Sequence, residues 1–169
     1  MRGYTEEKGV EMFRELSRIK QKLSINECID ILKTQTRGVL SVIGDNGYPY
    51  GMPMNHLYNE NDDSIYFHSG KKGHRLDALK SCDKVSFCVC DKGYQENGEW
   101  ALNVKSVIVF GRIEVLNDYE KITEVATKLS LKFTNDENYI KEEIEKSIDN
   151  TLLLKLIPDH ICGKLVKEA

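Results

Sequence analysis

The 169 residues fall within the roughly 100 to 200 expected of one domain, and a hydrophobic content of 40% is enough to build one sizeable core. The 24 Lys and Arg against 27 Asp and Glu leave a formal charge of -3, which excludes the global positive field that draws proteins onto nucleic acid. No run of about 18 apolar residues occurs, and the opening MRGYTEEKGVEMFRELSRIKQKL has no apolar stretch long enough for a signal peptide. The sequence therefore predicts a soluble cytoplasmic protein with no nucleic-acid and no membrane partner.

Met12, Leu16, Ile19 and Leu23 recur at helical spacing between charges, which predicts an amphipathic helical arm over residues 1–23. Its apolar stripe needs a partner surface, either a dimer interface or the chain's own barrel. Ser24 and Glu27 fit a capping box, and Cys28, Ile31 and Leu32 give the helix that follows, over 25–34, a buried face. VLSVI (39–43), MPMNHLY after the turn GDNGYPYG, and SIYFH after the break NENDD then read as a meander of three short strands.

Leu76 and Leu79 mark a short helix, KVSFCVC (84–90) a strand, and DKGYQENGE a polar loop. VKSVIVFGRIEVL (104–116) is β-branched and apolar on both faces near its centre, as in the middle of a sheet, with Gly111 at a bend or bulge. Ile122, Val125, Ala126, Leu129 and Phe133 predict one further amphipathic helix and Ile140, Ile144 and Ile148 another; TLLLKLI and ICGKLV close the chain as two strands. Strands and helices do not alternate regularly, so a mostly antiparallel β-barrel with helical decoration is predicted rather than a doubly wound sheet. There is no GxGxxG after a strand and no GxxxxGK[ST].

The five cysteines form an odd set without framework spacing, which suits a reducing compartment. Cys88 and Cys90 with His160 and Cys162 offer two isolated pairs for a metal; lacking CxxC spacing, they read better as free cysteines, and no metal is predicted.

Two segments carry the candidate chemistry. In IYFHSGKKGHR, Gly70 and Gly73 let backbone N–H groups converge, and a helix starting near His74 turns its positive end towards Lys71, Lys72, His74 and Arg75. Such a basic first turn opposes the helix dipole unless an anion sits there, so phosphate binding and a plain solvated turn both remain open. In YGMPMNHLY, Tyr50, Met52, Met54, His56 and Tyr58 share one face, and Pro53, which cannot donate to a ladder, places the strand at an edge or a bulge. That edge either pairs with the polar rim of a planar ring or is an ordinary edge strand with Met and Tyr in the core.

GYPYGMPMNHLY, SIYFHSGKKGHRLDAL, KVSFCVC, SVIVFGRIEVL and HICGKL, in this order over about residues 24–166, resemble the nitroimidazole-resistance branch of the pyridoxamine 5'-phosphate oxidase-like flavoproteins. The resemblance implies a mainly β fold, an antiparallel, Greek-key-like split β-barrel over residues 24–169, paired as a homodimer with FMN in a groove shared by the subunits. It implies that His68, Ser69, Lys71, Gly73, His74 and Arg75 surround the ribityl phosphate and that Pro53, Met54 and Asn55 run along the flavin edge. Lys105 and Ser106 would approach the cofactor, from the second subunit. The chain departs from the pattern at NVKSV, where relatives commonly carry an aromatic residue before Ser-Val, and at HICGKLVKEA, which lacks the arginine-bearing substrate segment of the vitamin B6 oxidases.

The activity so implied is FMN-dependent reduction of small molecules such as nitroimidazole-type compounds, with NAD(P)H as transient donor and His56 or His68 as candidate proton source. A non-catalytic flavin-binding or sensing protein, and a haem-binding split barrel with His160 or His68 as axial ligand, are the competing readings.

Overall fold

A computed structural model describes residues 13–168 of the chain. Its elements are α1 (Ile25–Thr34), β1 (Arg37–Ile43), β2 (Pro49–Asn55), β3 (Leu57–Asn59), β4 (Ser64–Gly70), α2 (His74–Ser81), β5 (Lys84–Cys90), β6 (Tyr94–Gln95), β7 (Leu102–Leu116), α3 (Tyr119–Ser130), α4 (Glu137–Ser147) and β8 (Thr151–Glu168). The strands form one curled, wholly antiparallel sheet in the order β2-β1-β5-β7-β8-β4-β3, with β6 added to β7, and this is a split β-barrel.

Local chemistry accounts for the element boundaries. The Ser24 hydroxyl accepts the Glu27 N–H at 3.3 Å while the Glu27 carboxylate accepts the Ser24 N–H at 3.0 Å, so α1 begins with two of its otherwise unpaired donors satisfied. Cys28, Ile31 and Leu32 are buried from its inner face. β7 runs between β5 and β8, with Val107 and Val109 facing the main core and Phe110 on the opposite face covered by Phe13, so its central residues are apolar on both faces. The main core gathers Leu40, Phe67, Phe87, Val109 and Leu156 inside the barrel. A smaller core of Tyr66, Ile122, Val125 and Leu153 lies under α3. Alternation along β4 therefore sends Ile65 and Phe67 into the barrel and Tyr66 and His68 towards the helices.

Three expectations are corrected. Residues 1–12 lie outside the described part, and from Phe13 the predicted arm is not an α-helix: it runs irregularly to a single 3-10 turn, Ile19–Gln21. The sheet holds it instead. The Leu23 N–H bonds the Gly163 carbonyl at 2.9 Å, and the Phe13 ring stacks on His160 at 4.8 Å and on Phe110 at 5.4 Å. The closing strands are one continuous β8, because Pro158, which has no N–H to donate, falls at the bulge where the β7–β8 register shifts between Phe110 and Gly111. Gly111 is required there, since a Cβ would come within 2.1 Å of the Ile157 carbonyl oxygen. Finally, MPMNHLY breaks at His56 into β2 and β3. No helix among the described residues is long and apolar enough to cross a membrane.

Candidate functional site

β2 is the edge strand of the sheet, as Pro53 requires, and the end of β4 leads beside it into the turn before α2. Between them lies an open groove of about 470 Å³ lined by Arg37, Pro53, Met54, Asn55, His68, Ser69, Gly70 and Arg75. Six of the eleven predicted cofactor contacts thus meet in one place.

Arg75 is the least satisfied group in this groove. Among the described residues its only side-chain hydrogen bond runs from Nη1 to the Met54 sulfur at 2.6 Å, a weak acceptor, and its buried Nε finds no partner there. No described carboxylate pairs with it, and burial lowers its pKa from the ordinary value, although a guanidinium remains charged at physiological pH. Arg37, at the start of β1, adds a second cation and donates from Nε to Asn55 Oδ1 at 3.0 Å. No local motif marks Arg37; only its register opposite Asn55 brings it in.

The helix start beside the groove is equally open. Gly73 caps α2 with φ +123°, a conformation that L side chains rarely adopt, and no side chain bonds the free N–H groups. Lys71 and Lys72 are exposed. His74 is turned to the β1–β2 connection, where it stacks on Tyr50 at 4.5 Å with Nε2 3.4 Å from the Asp45 carboxylate. Ser69 is buried and its hydroxyl donates to the Gly70 carbonyl at 3.0 Å.

The two histidine candidates separate cleanly. His56 is 0% exposed, its Nε2 donates to the Leu32 carbonyl at 2.8 Å, and its ring packs edge-on against Phe87. Burial, then the nearby Lys132 charge, pushes its pKa down to about 4, so His56 is a neutral core residue with no access to a substrate; this corrects its candidacy as a proton source. His68 presents much of its surface to solvent, yet its ring sits in a crowded pocket wall. Lost hydration and then the Arg75 charge lower its pKa, leaving it a neutral imidazole at pH 7 that donates one N–H.

Lys105 and Ser106 lie elsewhere in the chain. Lys105 Nζ pairs with Glu27 at 3.0 Å in a separate groove with Asp30, Asp91 and Tyr94, and Ser106 pairs in the ladder opposite Cys90 and Lys164. With the Ser24 N–H and Lys105 both bound to it, the Glu27 carboxyl is held down to about 2. His160 is packed beside Phe13 and Phe110. The described residues contain no grouping of three or more His, Cys, Asp or Glu placed to hold a metal ion.

Residues 24–165 match the family model described as pyridoxamine 5'-phosphate oxidase. The chain belongs to this family. The similar solved structures are distant in sequence and close in fold to this member of the pyridoxamine 5'-phosphate oxidase family. A putative 5-nitroimidazole antibiotic resistance protein of Bacteroides thetaiotaomicron is 19% identical with TM-score 0.72, covering 87% of both chains. A conserved hypothetical protein of Mycobacterium tuberculosis is 16% identical with TM-score 0.75, covering 89% of this chain and 90% of that one. An FAD-binding protein of Mesorhizobium loti is 21% identical with TM-score 0.62, covering 86% of this chain and 97% of that one. No curated protein matches the chain.

Proposed function

We propose that the protein binds FMN in the groove between β2 and the β4–α2 turn, and uses it as an oxidoreductase acting on small molecules. The single observation that carries this reading is Arg75: a half-buried guanidinium whose Nε has no partner among the described residues and whose one acceptor among them is a thioether, beside Arg37 and an uncapped helix start. A phosphate would supply the missing acceptors, because its oxygens match the guanidinium fork and the helix N–H groups together. The fit is chemical as well as electrostatic, since the outer edge of β2 at Pro53, Met54 and Asn55 offers backbone groups to the polar rim of a flavin ring.

When bound, FMN supplies acceptance of a hydride from a donor such as NAD(P)H and delivery of two electrons to a small electrophile; a nitro group so reduced takes up two protons and leaves as nitroso compound and water. The chain's own part is to hold and orient. Arg75 and Arg37 anchor the phosphate, Asn55 is fixed by Arg37, and His68 donates an N–H from the groove wall towards the ring or the substrate. We further propose a homodimer in which Ser106 approaches the partner's groove; the exposed Val39 and Ile43, on the same outer face of the sheet as Ser106, supply apolar surface for such a contact. Nitroimidazole-type compounds are the substrate class favoured by the likeness to the Bacteroides protein.

The test is the absorption spectrum of the purified chain after addition of FMN and gel filtration. Two flavin bands eluting with the protein are expected. Elution without flavin contradicts the reading, and a Soret band gained on adding haem replaces it with the haem-binding one.

A further inference from the structure

A second cavity, of about 260 Å³, lies behind the basic groove, walled by α3, α4 and β4. Asn55 and His68 line both spaces, so they form a shared wall. The chamber differs in character from its neighbour: its surface is built from Ile122, Ala126, Leu129, Ile144 and Ile148, with the ring of Phe133, 55% exposed, beside it. Its one carboxylate, Glu143, already accepts from Lys146 Nζ at 2.8 Å, so no free charge is offered to a ligand. The volume suits one ring with small substituents, just below the roughly 300 to 1,000 Å³ typical of ligand sites.

We propose that this α3–α4 chamber seats a small, uncharged aromatic or heteroaromatic molecule, with its ring among Ala126, Leu129 and Ile144 and its polar edge against His68 and Asn55. The proposal rests on the flavin reading in one respect: it names the class of compound whose edge the shared wall turns towards the cofactor groove. The apolar lining provides binding by burial of a ring, and the lack of a free counter-charge selects against ions, since a desolvated charge without a partner is costly. Ser130, Ser147 and Thr151 also line the chamber, but the Ser147 and Thr151 hydroxyls already donate to the carbonyls of Glu143 and Ser147 at 2.7 and 2.8 Å; the shared wall gives orientation because it brings two polar side chains, Asn55 and His68, together on the side of the groove.

The test is calorimetric titration of nitrobenzene and of nitrobenzoate into the full chain reconstituted with FMN. Nitrobenzene is expected to bind at least roughly tenfold more tightly than nitrobenzoate, and Ala126→Phe, which fills the chamber, to weaken nitrobenzene by roughly tenfold or more while FMN affinity stays within about twofold. Phe133→Ala, at an exposed position that folding tolerates, should weaken nitrobenzene by about threefold and decides the matter if Ala126→Phe fails to fold. Equal binding of the two probes, or unchanged nitrobenzene binding in the variant that folds, overturns the proposal. Chamber variants without effect in a chain that binds FMN sink the chamber alone, whereas nitrobenzene binding that depends on Ala126 in a chain that takes up no FMN sinks the flavin reading and leaves the chamber standing.

Discussion

The surroundings of α1 and of α2 treat polar groups in opposite ways. At α1 the chain largely satisfies itself: Ser24 and Glu27 cap the start, Lys105 neutralises Glu27, His56 bonds the Leu32 carbonyl near the end through Nε2, leaving only its buried Nδ1 without a partner among the described residues here, and Lys132 Nζ bonds the carbonyls of Gln35 and His56 at 2.8 and 3.1 Å. At α2 the start has no side-chain cap, and the adjacent Arg75 has a thioether for its acceptor. α3 and α4 behave like α1, with Asp118 and Asp136 accepting the N–H of Lys121 and Tyr139. A closed helix start serves stability, and an open one beside unpaired cations is what a phosphate requires.

The largest effect that sharpens this contrast is on the closed side. The folded His56 pKa of about 4 lies below its ordinary 6.5, so above pH 6.5 both states are neutral and stability is full. As pH falls from 6.5 to 4 the unfolded chain gains a proton that the folded one refuses, and stability drops by on the order of 3 kcal/mol. His68 and His160, also lowered, act with the same sign. Urea unfolding followed from pH 7 to pH 4 reads this, and a midpoint constant over that window would refute a neutral buried His56. Below pH 4.5 loss of the Glu27 contacts adds to the decline.

Next comes the open side. Gly73→Ala meets no crowding but forces a side chain onto φ +123°, at a cost of about 2 kcal/mol, so thermal unfolding should fall by several degrees while FMN binding also weakens. Ser24→Ala should cost about 1 kcal/mol and leave FMN affinity untouched, since its helix start serves only the fold. If Ser24→Ala weakened FMN as much as Gly73→Ala, the two helix starts would not differ in role. Smallest is Lys71→Gln with Lys72→Gln: exposed cations should change FMN affinity by about threefold at low salt and not at all at high salt.

Much of this was legible in the residues. The Ser24–Glu27 spacing, the Pro53 edge and the Gly111 irregularity each follow from a local rule, and each is where the sequence places it. Alternation had also put His56 on the same face as Met52 and Met54, so its burial was readable, although its histidine chemistry drew attention to the site. What was not legible depends on distant partners. Arg37 joins Arg75 only through the β1–β2 register, Lys105 is taken by a Glu 78 residues away, and His74 is drawn off by Tyr50 and Asp45. The chamber needs α3, α4 and β4 packed together before it exists. Helical periodicity misled at residues 13–23, because backbone bonding to β8 and the stacking of Phe13 hold that segment on the sheet.

If Arg75 is held ready for a phosphate, equilibrium titration of FMN and riboflavin into wild type and Arg75→Ala must separate the two flavins. The substitution is expected to weaken FMN by roughly 30-fold to 100-fold, the worth of a charge-assisted bidentate contact, while riboflavin changes by less than about threefold. Equal weakening of the two flavins, or none of either, would contradict that role.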